Sequence, residues 1–336
     1  MNRFFLLIFC IVNLSYCKKD STINQSNNSI TFYKGADVSW ITEMESSGVK
    51  FYNSEVQQEC LSLLKQKGLN AIRLRVWVNP TNGWNNSNDV LTKAIRANDL
   101  GFKLLIDFHY SDSWADPAQQ TKPASWVTQD IQQLKTSVYN HTYQVLQQLK
   151  TNGVIPLWVQ VGNETNDGML WPEGKASSNM NNFASFINAG YDAVKANDSS
   201  TKVIVHLSNG YDKNLFTWMF DGLKNNAAKY DVIGMSLYPS ITNWQTLNNQ
   251  CIANINHLTT TYNKEVMICE VGMPWDSPDE SKNFLKDLIS QTKAIANNRV
   301  LGVFYWEPQA YNNWKGYTLG AFDNAGKPTI ALDAFK

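Results

Sequence analysis

Two glutamates, Glu164 and Glu270, have the residue type and the position for chemistry. Each follows a short apolar run, at the point where a strand would end. A buried carboxylate without a partner is unfavourable, so each needs a partner or a chemical role. Two facing carboxyl groups could cleave a glycosidic bond: one donates a proton to the leaving oxygen while the other, about 5–5.5 Å away in a retaining enzyme, attacks the anomeric carbon. The alternative is a structural ion pair, in which Arg73 or Arg75 neutralises Glu270.

Polar and aromatic residues also follow the other apolar runs. In a barrel of parallel strands the active site is built from residues at the carboxyl ends of the strands. We therefore expect these side chains to surround one common mouth. In chain order they are Asp37, Trp40, Arg73, Arg75, Trp77, Asp107, His109, Asp112, Trp114, Gln160, Asn163, His206, Asn209, Ser236, Tyr238, Trp306 and Glu307.

The elements that must position these residues alternate regularly between strand and helix. We predict strands over 34–38, 71–78, 103–108, 156–161, 202–207, 232–237, 265–269 and 300–306. The predicted helices are a segment opening at Ser54-Glu55, then 90–100, 125–150, 178–197, 214–229, 247–261 and 279–297. Eight strands in one such alternation favour an α/β fold, specifically a single (β/α)₈ TIM barrel, over an open doubly wound sheet. No Gly-x-Gly-x-x-Gly follows the first strand, so nothing supports dinucleotide binding.

The overall composition limits the possible partners. The 336 residues include 29 basic and 29 acidic side chains, which argues against nucleic acid because phosphate binding depends on clustered Lys and Arg. A neutral ligand suits this balance better than a polyanion. The chain is also 12% aromatic, with 12 tryptophans whose flat apolar faces could pack against sugar rings or simply fill the core.

The N-terminal segment predicts export. Arg3 precedes an apolar run over 4–14, which is too short to span a bilayer but typical of a signal peptide. We interpret 1–17 as a signal peptide in which Cys17 becomes lipidated, 18–30 as a polar tether, and 31–336 as the catalytic barrel. Tyr16 departs from the small residue usual before a lipidated cysteine, so an ordinary signal peptide, cleaved slightly later, is the alternative. We expect a monomer that contacts a membrane only through this lipid, at the outer membrane or surface of a bacterium.

The five cysteines do not predict a disulfide framework. Cys10 and Cys17 fall in the signal segment, which leaves Cys60, Cys251 and Cys269. None of these has metal-ligand spacing. We predict that all three are small buried apolar side chains.

Long sequence strings resemble a known family. The dipeptide Asn163-Glu164 after the fourth strand and a glutamate after the seventh resemble clan A of the retaining glycoside hydrolases. Within that clan the chain is similar to glycoside hydrolase family 53, the endo-β-1,4-galactanases that act on type I arabinogalactan. The similarity runs from Lys34 to about Phe335 and is carried by GADVSW (35–40), NAIRLRVWVNP (70–80), LLIDFHYSDSWADP (104–117), VQVGNETNDGMLWPEG (159–174), DVIGMSLYP (231–239), MICEVGMPW (267–275) and GVFYWEP (302–308).

The resemblance implies a role for each matched residue. Glu164 would be the acid/base and Glu270 the nucleophile, while Asn163 would hold the sugar 2-hydroxyl. Tyr238 and an arginine of the second strand, which we expect to be Arg73, would hydrogen-bond the nucleophile. The remaining predicted substrate contacts are His109, Asp112, Trp114, Trp171, His206 and Trp306, with the three tryptophans as stacking platforms.

The chain departs from the family pattern in two places. Gln309-Ala310-Tyr311 replaces the expected Ala-Trp after Pro308, and Leu237 replaces the first tyrosine of a Tyr-Tyr-Pro string. Both changes fall near substrate subsites and leave the product length open. Relatives can hold calcium in a late loop. Asp276, Asp279 and Asp323-Asn324 occur here without an evident ligand set, so structural calcium stays open but is not predicted; we predict no required cofactor and no metal site.

Two other functions compete with galactan hydrolysis. Another clan A activity, such as a β-mannanase or a cellulase, would use the same two glutamates. A non-catalytic surface lipoprotein would use the cleft only to capture glycan, and it could then lose one carboxylate. This sequence has kept both, Glu164 and Glu270.

Overall fold

In the computed structural model, eight apolar segments form parallel strands that close into a barrel. Strands such as 71–76 and 232–237 are buried along their whole length, as expected when a sheet is covered on both faces. The predicted (β/α)₈ TIM barrel is confirmed. The strands are β1 (Tyr33–Asp37), β2 (Ala71–Val76), β3 (Lys103–Phe108), β4 (Trp158–Val161), β5 (Lys202–Leu207), β6 (Val232–Leu237), β7 (Glu265–Val271) and β8 (Val300–Trp306).

The structure describes Met1 and residues 31–336. The signal peptide, the lipidation site at Cys17 and the tether over 18–30 therefore lie outside the described residues. Thr31–Lys336 form one compact unit. No helix within the described range is both long enough and apolar enough to cross a membrane.

Helices follow the strands and pack outside them. Several begin with a side-chain cap: Asn86 accepts hydrogen bonds from the first turn of the third helix, and Asp130 forms a capping box with Gln133. The helices are α1 (Ile41–Ser46), α2 (Cys60–Gln66), α3 (Ser87–Asp99), α4 (Ile131–Thr151), α5 (Ala176–Asn197), α6 (Lys213–Asn225), α7 (Trp244–Tyr262) and α8 (Pro278–Lys293), and short 3₁₀ helices span Ala124–Trp126, Ala296–Asn298, Trp314–Gly316 and Ile330–Phe335.

The barrel interior is layered. The layer nearer the amino ends of the strands is apolar. It is built from Ala71, Leu105, Trp158, Ile204, Val232, Met267, Cys269, Leu301 and Phe304. Gly35 makes room for this layer, since a Cβ there would lie 2.1 Å from the Phe304 ring. Because side chains alternate along a strand, the next inward positions are two residues further on. These positions carry Arg73, Asp107 and Gln160, so a polar layer lies above the apolar one.

A β-bulge near the end of β7 changes which side chains face the barrel axis. Met235 pairs with Ile268, but the next residue of β6, Ser236, pairs with Glu270, so Cys269 is extra. Cys269 belongs to the apolar layer, and simple alternation would turn Glu270 outward. The bulge instead brings Glu270 inward, next to Arg73.

Two predicted elements differ from the structure in more than the position of their ends. The segment from Ser54 begins with a hairpin, Tyr52–Asn53 with Val56–Gln57, and the helix starts only at Cys60. Val56 is exposed rather than packed on a helix face, since the hairpin turns it to solvent. The predicted 125–150 helix is divided, because a 3₁₀ turn ends before the Asp130 cap. The predicted state of the cysteines is confirmed: Cys60, Cys251 and Cys269 are buried free thiols.

Candidate active site

The carboxyl ends of the strands surround a cleft of about 680 Å³. Acidic, amide and aromatic side chains share its surface, a mixture suited to a ligand with both hydroxyl groups and apolar faces. The lining residues are Trp40, His109, Trp114, Ala115, Asp116, Pro117, Asn163, Glu164, Ser208, Asn209, Tyr238, Glu270, Trp306, Lys315, Gly316, Tyr317 and Leu319.

Glu270 is held by two donors at the base of the cleft. Arg73 Nη2 lies 2.9 Å from Oε1, and the Tyr238 hydroxyl donates to Oε2 at 2.8 Å. Both donors favour the ionised carboxylate and fix its orientation. The arginine that contacts Glu270 is therefore Arg73, whereas Arg75 points to a different carboxylate, that of Glu307.

Arg73 is the centre of the polar layer. It is 1% exposed, and besides Glu270 its guanidinium donates to Asp37 and Asp107 at 2.8 Å each and to the Asn163 side-chain oxygen at 3.0 Å. Burial is the largest influence on the pKa of Asp107 and raises it, but Arg73, His109 and His206 together lower that pKa below its ordinary value. One cation thus faces three carboxylates, and the layer carries excess negative charge.

The excess charge bears on the two cleft glutamates. Burial is the largest influence on Glu270 and raises its pKa; the charge of Arg73 and the Tyr238 hydrogen bond oppose the rise, and the charge of Glu164 adds to it. Burial also raises the pKa of Glu164, against the hydrogen bond from Ser236 and the charge of Arg73. Since each carboxylate repels the other, ionisation of one favours the protonated form of its neighbour.

Glu164 is oriented through neighbouring side chains. Its backbone φ is 43°, a left-handed value that a non-glycine residue adopts at some cost and that places the residue at the turn after β4. The Glu164 N–H points to Nδ1 of His206 at 3.4 Å, so the proton of the neutral ring lies on Nε2, which donates to Ser236 at 2.8 Å. Burial holds the pKa of His206 well below its ordinary value. The Ser236 hydroxyl is then free to donate to the Glu164 carboxylate.

His109 lines the cleft with a fixed tautomer. Its Nδ1 accepts hydrogen bonds from Trp77 Nε1 at 3.3 Å and from the Ala115 N–H at 3.1 Å. The proton therefore lies on Nε2, which donates to Asp107 at 3.0 Å. His109 thereby links the cleft surface to the Arg73 layer.

Four aromatic rings form one side of the cleft, which we name the aromatic wall: Trp40, Trp114, Trp306 and Tyr317. The rings meet mainly edge to face. Trp40 lies 5.1 Å from Trp306 and 5.9 Å from Trp114, and Trp306 lies 4.7 Å from Tyr317, measured between centroids. Such packing holds each ring in place and leaves apolar faces for a ligand.

The structure separates the residues predicted to bind substrate into three groups. Asn163, His109, Trp114, Tyr238 and Trp306 line the cleft beside Glu164 and Glu270. Arg73 and His206 lie behind that surface and contact the residues that line it.

Asp112 and Trp171 are not among the residues that line this cleft, and their role in substrate binding stays a prediction. Asp112 accepts hydrogen bonds from the N–H groups of Asn79 and Ala124, so it joins two loops. The Trp171 indole donates to the Asp167 carbonyl and packs under Lys175. A position near the end of a strand therefore does not by itself show whether a side chain lines the cleft or holds the surrounding loops.

Several cleft residues were not predicted as substrate contacts. Trp40 was recognised only as a strand-end residue, whereas Lys315 and Tyr317 come from the loop after β8. That loop contains consecutive left-handed residues, Asn312 and Asn313, followed by Lys315 and Gly316. Its density of aromatic residues was the available signal, but no strand precedes it closely enough to place them.

No group of three potential metal ligands occurs in the part of the chain that the structure describes. Asp323, one of the acidic residues considered for calcium, instead accepts hydrogen bonds from the N–H groups of Ala325 and Lys327 within a turn.

Comparisons with known proteins agree with this geometry. The model of the family described as glycosyl hydrolase family 53 matches residues 33–335. An arabinogalactan endo-beta-1,4-galactanase from Thermothelomyces thermophilus is 33% identical, over 90% of this chain and 98% of its own length. A solved fungal beta-1,4-galactanase superposes with a TM-score of 0.84 at 30% identity, covering 90% of this chain and 98% of its own, and the Ignisphaera aggregans GH53 catalytic domain with 0.82 at 28%, covering 93% and 97%. The chain therefore belongs to glycosyl hydrolase family 53.

Proposed function

We propose that this protein is a retaining endo-β-1,4-galactanase that hydrolyses the galactan of type I arabinogalactan. The observation that carries the proposal is the pair Glu164 and Glu270 in one cleft, with Glu270 bound by both Arg73 and Tyr238. The galactanase names of several relatives support the choice of substrate. The balanced charge of the chain suits a neutral polysaccharide.

The contacts of the two glutamates support distinct roles. Glu270 receives a cationic and a hydroxyl donor, so it is the member of the pair that ionises and acts as nucleophile. Glu164 lies outside the direct reach of these donors and keeps the shared proton as general acid. Each role needs the other residue in the opposite protonation state, and mutual repulsion favours that state.

The reaction proceeds by double displacement. Glu164 donates its proton to the glycosidic oxygen while a Glu270 oxygen attacks the anomeric carbon, so the bond to the leaving chain breaks and a galactosyl ester forms. Glu164, now ionised, takes a proton from a water molecule that attacks the same carbon. The ester bond breaks, Glu270 is released as a carboxylate and Glu164 is protonated again.

The other cleft residues bind the sugar. Asn163 lines the cleft next to Glu164, a position consistent with holding the sugar 2-hydroxyl. The aromatic wall offers ring faces to the less polar side of galactose, with Trp114 and Trp306 as stacking platforms. No step calls for a cofactor, and we expect the enzyme to act without one, as a monomer.

Digestion of potato-type galactan tests the proposal. Product sizing shows whether chains are cut internally, and proton NMR of the first products shows whether the β-anomer is released. Hydrolysis of mannan or cellulose with no action on galactan would replace the substrate assignment. Binding of galactan with no hydrolysis of any of the three would favour a glycan-capturing lipoprotein.

Two variants separate the roles of the glutamates. Glu270→Ala should lower turnover by several orders of magnitude, and added azide should restore turnover by forming the α-galactosyl azide, because azide can occupy the vacated nucleophile position. Glu164→Gln should lose activity on galactan but retain formation of the galactosyl ester from an aryl galactoside whose leaving group needs no acid. Activity within tenfold of the parent in either variant would refute that residue's role.

We further propose that the chain is exported and anchored by a lipid on Cys17. The support is the apolar run over 4–14 followed by Leu14-Ser15-Tyr16-Cys17. The full chain expressed in a bacterium with labelled fatty acid should incorporate label, and Cys17→Ala should abolish it. Secretion of unlabelled parent protein into the medium would indicate an ordinary signal peptide.

A further inference from the structure

A second buried ion pair lies beside the Arg73 layer, and double displacement assigns it no role. Arg75 Nη1 lies 2.6 Å from Glu307 Oε1, and the two residues are 1% and 0% exposed. The link to the Arg73 layer is weak, since Arg75 Nη1 is 4.0 Å from Asp37. Burying two ions costs desolvation free energy, which is offset only when other groups stabilise both charges. The residues around Arg75 and Glu307 are therefore the evidence for what the pair does.

Aromatic rings enclose the cation of the pair. The Arg75 guanidinium carbon lies 4.4 Å from the ring centroid of Trp114, 5.2 Å from that of Trp40 and 5.4 Å from that of Trp77. Among residues 31–336, no group accepts a hydrogen bond from Arg75 Nε or Nη2. The indole faces therefore take the place of hydrogen-bond acceptors, through attraction between the cation and the π-systems.

The anion of the pair holds the same aromatic residues through the backbone. Both carboxylate oxygens of Glu307 accept from the N–H of Trp40, at 3.1 and 3.2 Å, and Gln309 donates to Oε2 at 2.6 Å. Glu307 itself has a left-handed backbone, with φ of 45°, directly after Trp306. One carboxylate thus ties the end of β8 to the segment after β1.

We propose that Arg75 and Glu307 position the aromatic wall and thereby set the affinity of the cleft for its sugar chain. Trp40 and Trp114 contact Arg75 and also line the cleft, so the pair acts on the substrate only through these rings. The inference rests on the proposed function, because a polysaccharide must be the ligand of the wall. It predicts an effect on substrate binding rather than on the chemical step.

The double variant Arg75→Met/Glu307→Gln tests this proposal in the full chain. It removes both charges together, which avoids leaving one ion buried without its partner, and glutamine keeps an oxygen for the Trp40 N–H. We expect KM for galactan to rise at least tenfold while kcat stays within threefold of the parent. Tryptophan fluorescence, titrated with galacto-oligosaccharide in a Glu270→Ala background, should show weaker binding by the same factor.

Arg96→Met is the matched control. Arg96 pairs with Glu45 and Glu59 on the outside of the barrel, and none of the three lines the cleft. The control should change the urea midpoint but not KM. Arg75→Lys keeps the charge without the planar group and should raise KM by a smaller factor than the double variant.

Two results would overturn the inference. One is a double variant with KM within twofold of the parent, whether or not its stability changes, which would give the pair a structural role alone. The other is a fall in kcat of at least tenfold at unchanged KM, which would show that the pair acts on the chemical step. If the parent cleaves mannan or cellulose rather than galactan, the proposed function fails, and the fluorescence titration with a fragment of the cleaved polymer still tests the wall.

Discussion

Arg73 and Arg75 lie two positions apart on β2, face the same side of the strand and are equally buried, yet their surroundings differ. Arg73 is surrounded by oxygen atoms: Asp37, Asp107 and the Asn163 amide accept its hydrogen bonds, and Glu270 forms an ion pair with it at 2.9 Å. Arg75 is surrounded by indole rings and has Glu307 as its close anionic partner. Two arginines in successive layers of the barrel interior therefore have different surroundings, oxygen atoms for Arg73 and aromatic rings for Arg75.

This difference separates two tasks of the cleft. The Arg73 layer controls charge, because it holds Glu270 and influences its ionisation. The Arg75–Glu307 pair controls the shape of the cleft, because it holds aromatic rings that line the cleft but take no part in proton transfer. Variants of the first region should therefore change kcat and the pH profile, and variants of the second should change KM.

The largest contrast should come from the matched pair Arg73→Lys and Arg75→Lys. An ammonium group cannot reach the several acceptors of Arg73 at once, so Arg73→Lys should lower kcat by about 10²–10³, corresponding to about 3–4 kcal/mol. Arg75→Lys should act mainly on KM. Michaelis profiles on galactan measure both, and an equal loss of kcat in the two variants would remove the distinction.

Tyr238→Phe should have the next largest effect. It removes the hydrogen bond to Glu270 without changing the size of the ring much, and a hydrogen bond to a charged group contributes about 1.5–3 kcal/mol. We expect kcat to fall about 10–100-fold. Tyr311→Phe is the control, since it loses a hydrogen bond to the Lys50 carbonyl away from the cleft; a similar loss of kcat there would contradict the assignment.

The pH profile provides a smaller but more specific difference. The proposed mechanism needs one proton on the Glu164–Glu270 pair, so kcat/KM should fall both when a second proton binds at low pH and when the shared proton leaves at high pH. The Tyr238 hydrogen bond lowers the pKa of Glu270, so Tyr238→Phe should raise that pKa and move the acidic limb to higher pH. The Arg75→Met/Glu307→Gln variant should keep the parent limbs, and a shifted acidic limb in that variant would contradict the division of tasks.

The smallest effect on activity should come from Asp112→Ala. Its carboxylate bonds two backbone N–H groups outside the cleft, so the free energy of unfolding should fall by about 1–2 kcal/mol, as measured with urea. KM and kcat should stay within twofold. A tenfold rise in KM would place Asp112 among the substrate-binding residues.

Much of the fold follows from local patterns. The strands over 103–108, 202–207, 232–237 and 300–306 have the predicted bounds, because uninterrupted apolar runs between polar segments define buried parallel strands well. The hairpin after Tyr52 was mistaken for a helix start, since Val56, Cys60 and Leu63 also fit a helical period.

The site was predictable where strands deliver side chains and less so elsewhere. Glu164, Asn163 and Tyr238 follow strands directly and line the cleft. Tyr317 and Lys315 reach it from a loop whose course depends on left-handed backbone, which no periodic pattern reveals. The sequence could not show which of Arg73 and Arg75 contacts Glu270, because alternation puts both on one face of the strand. The ion pairs in the structure distinguish them.

The bulge at Cys269 has a consequence for how this barrel can be altered. The additional residue interrupts the alternation of side chains, so Cys269 and Glu270 both face the barrel axis. The direction of the Glu270 carboxylate therefore depends on the number of residues in β7 as well as on their types. Deleting Cys269 would restore simple alternation and keep Glu270 facing inward, but about 3.3 Å lower along the strand, away from Tyr238. A single-residue deletion at the bulge would therefore move Glu270 along the barrel axis without turning it outward.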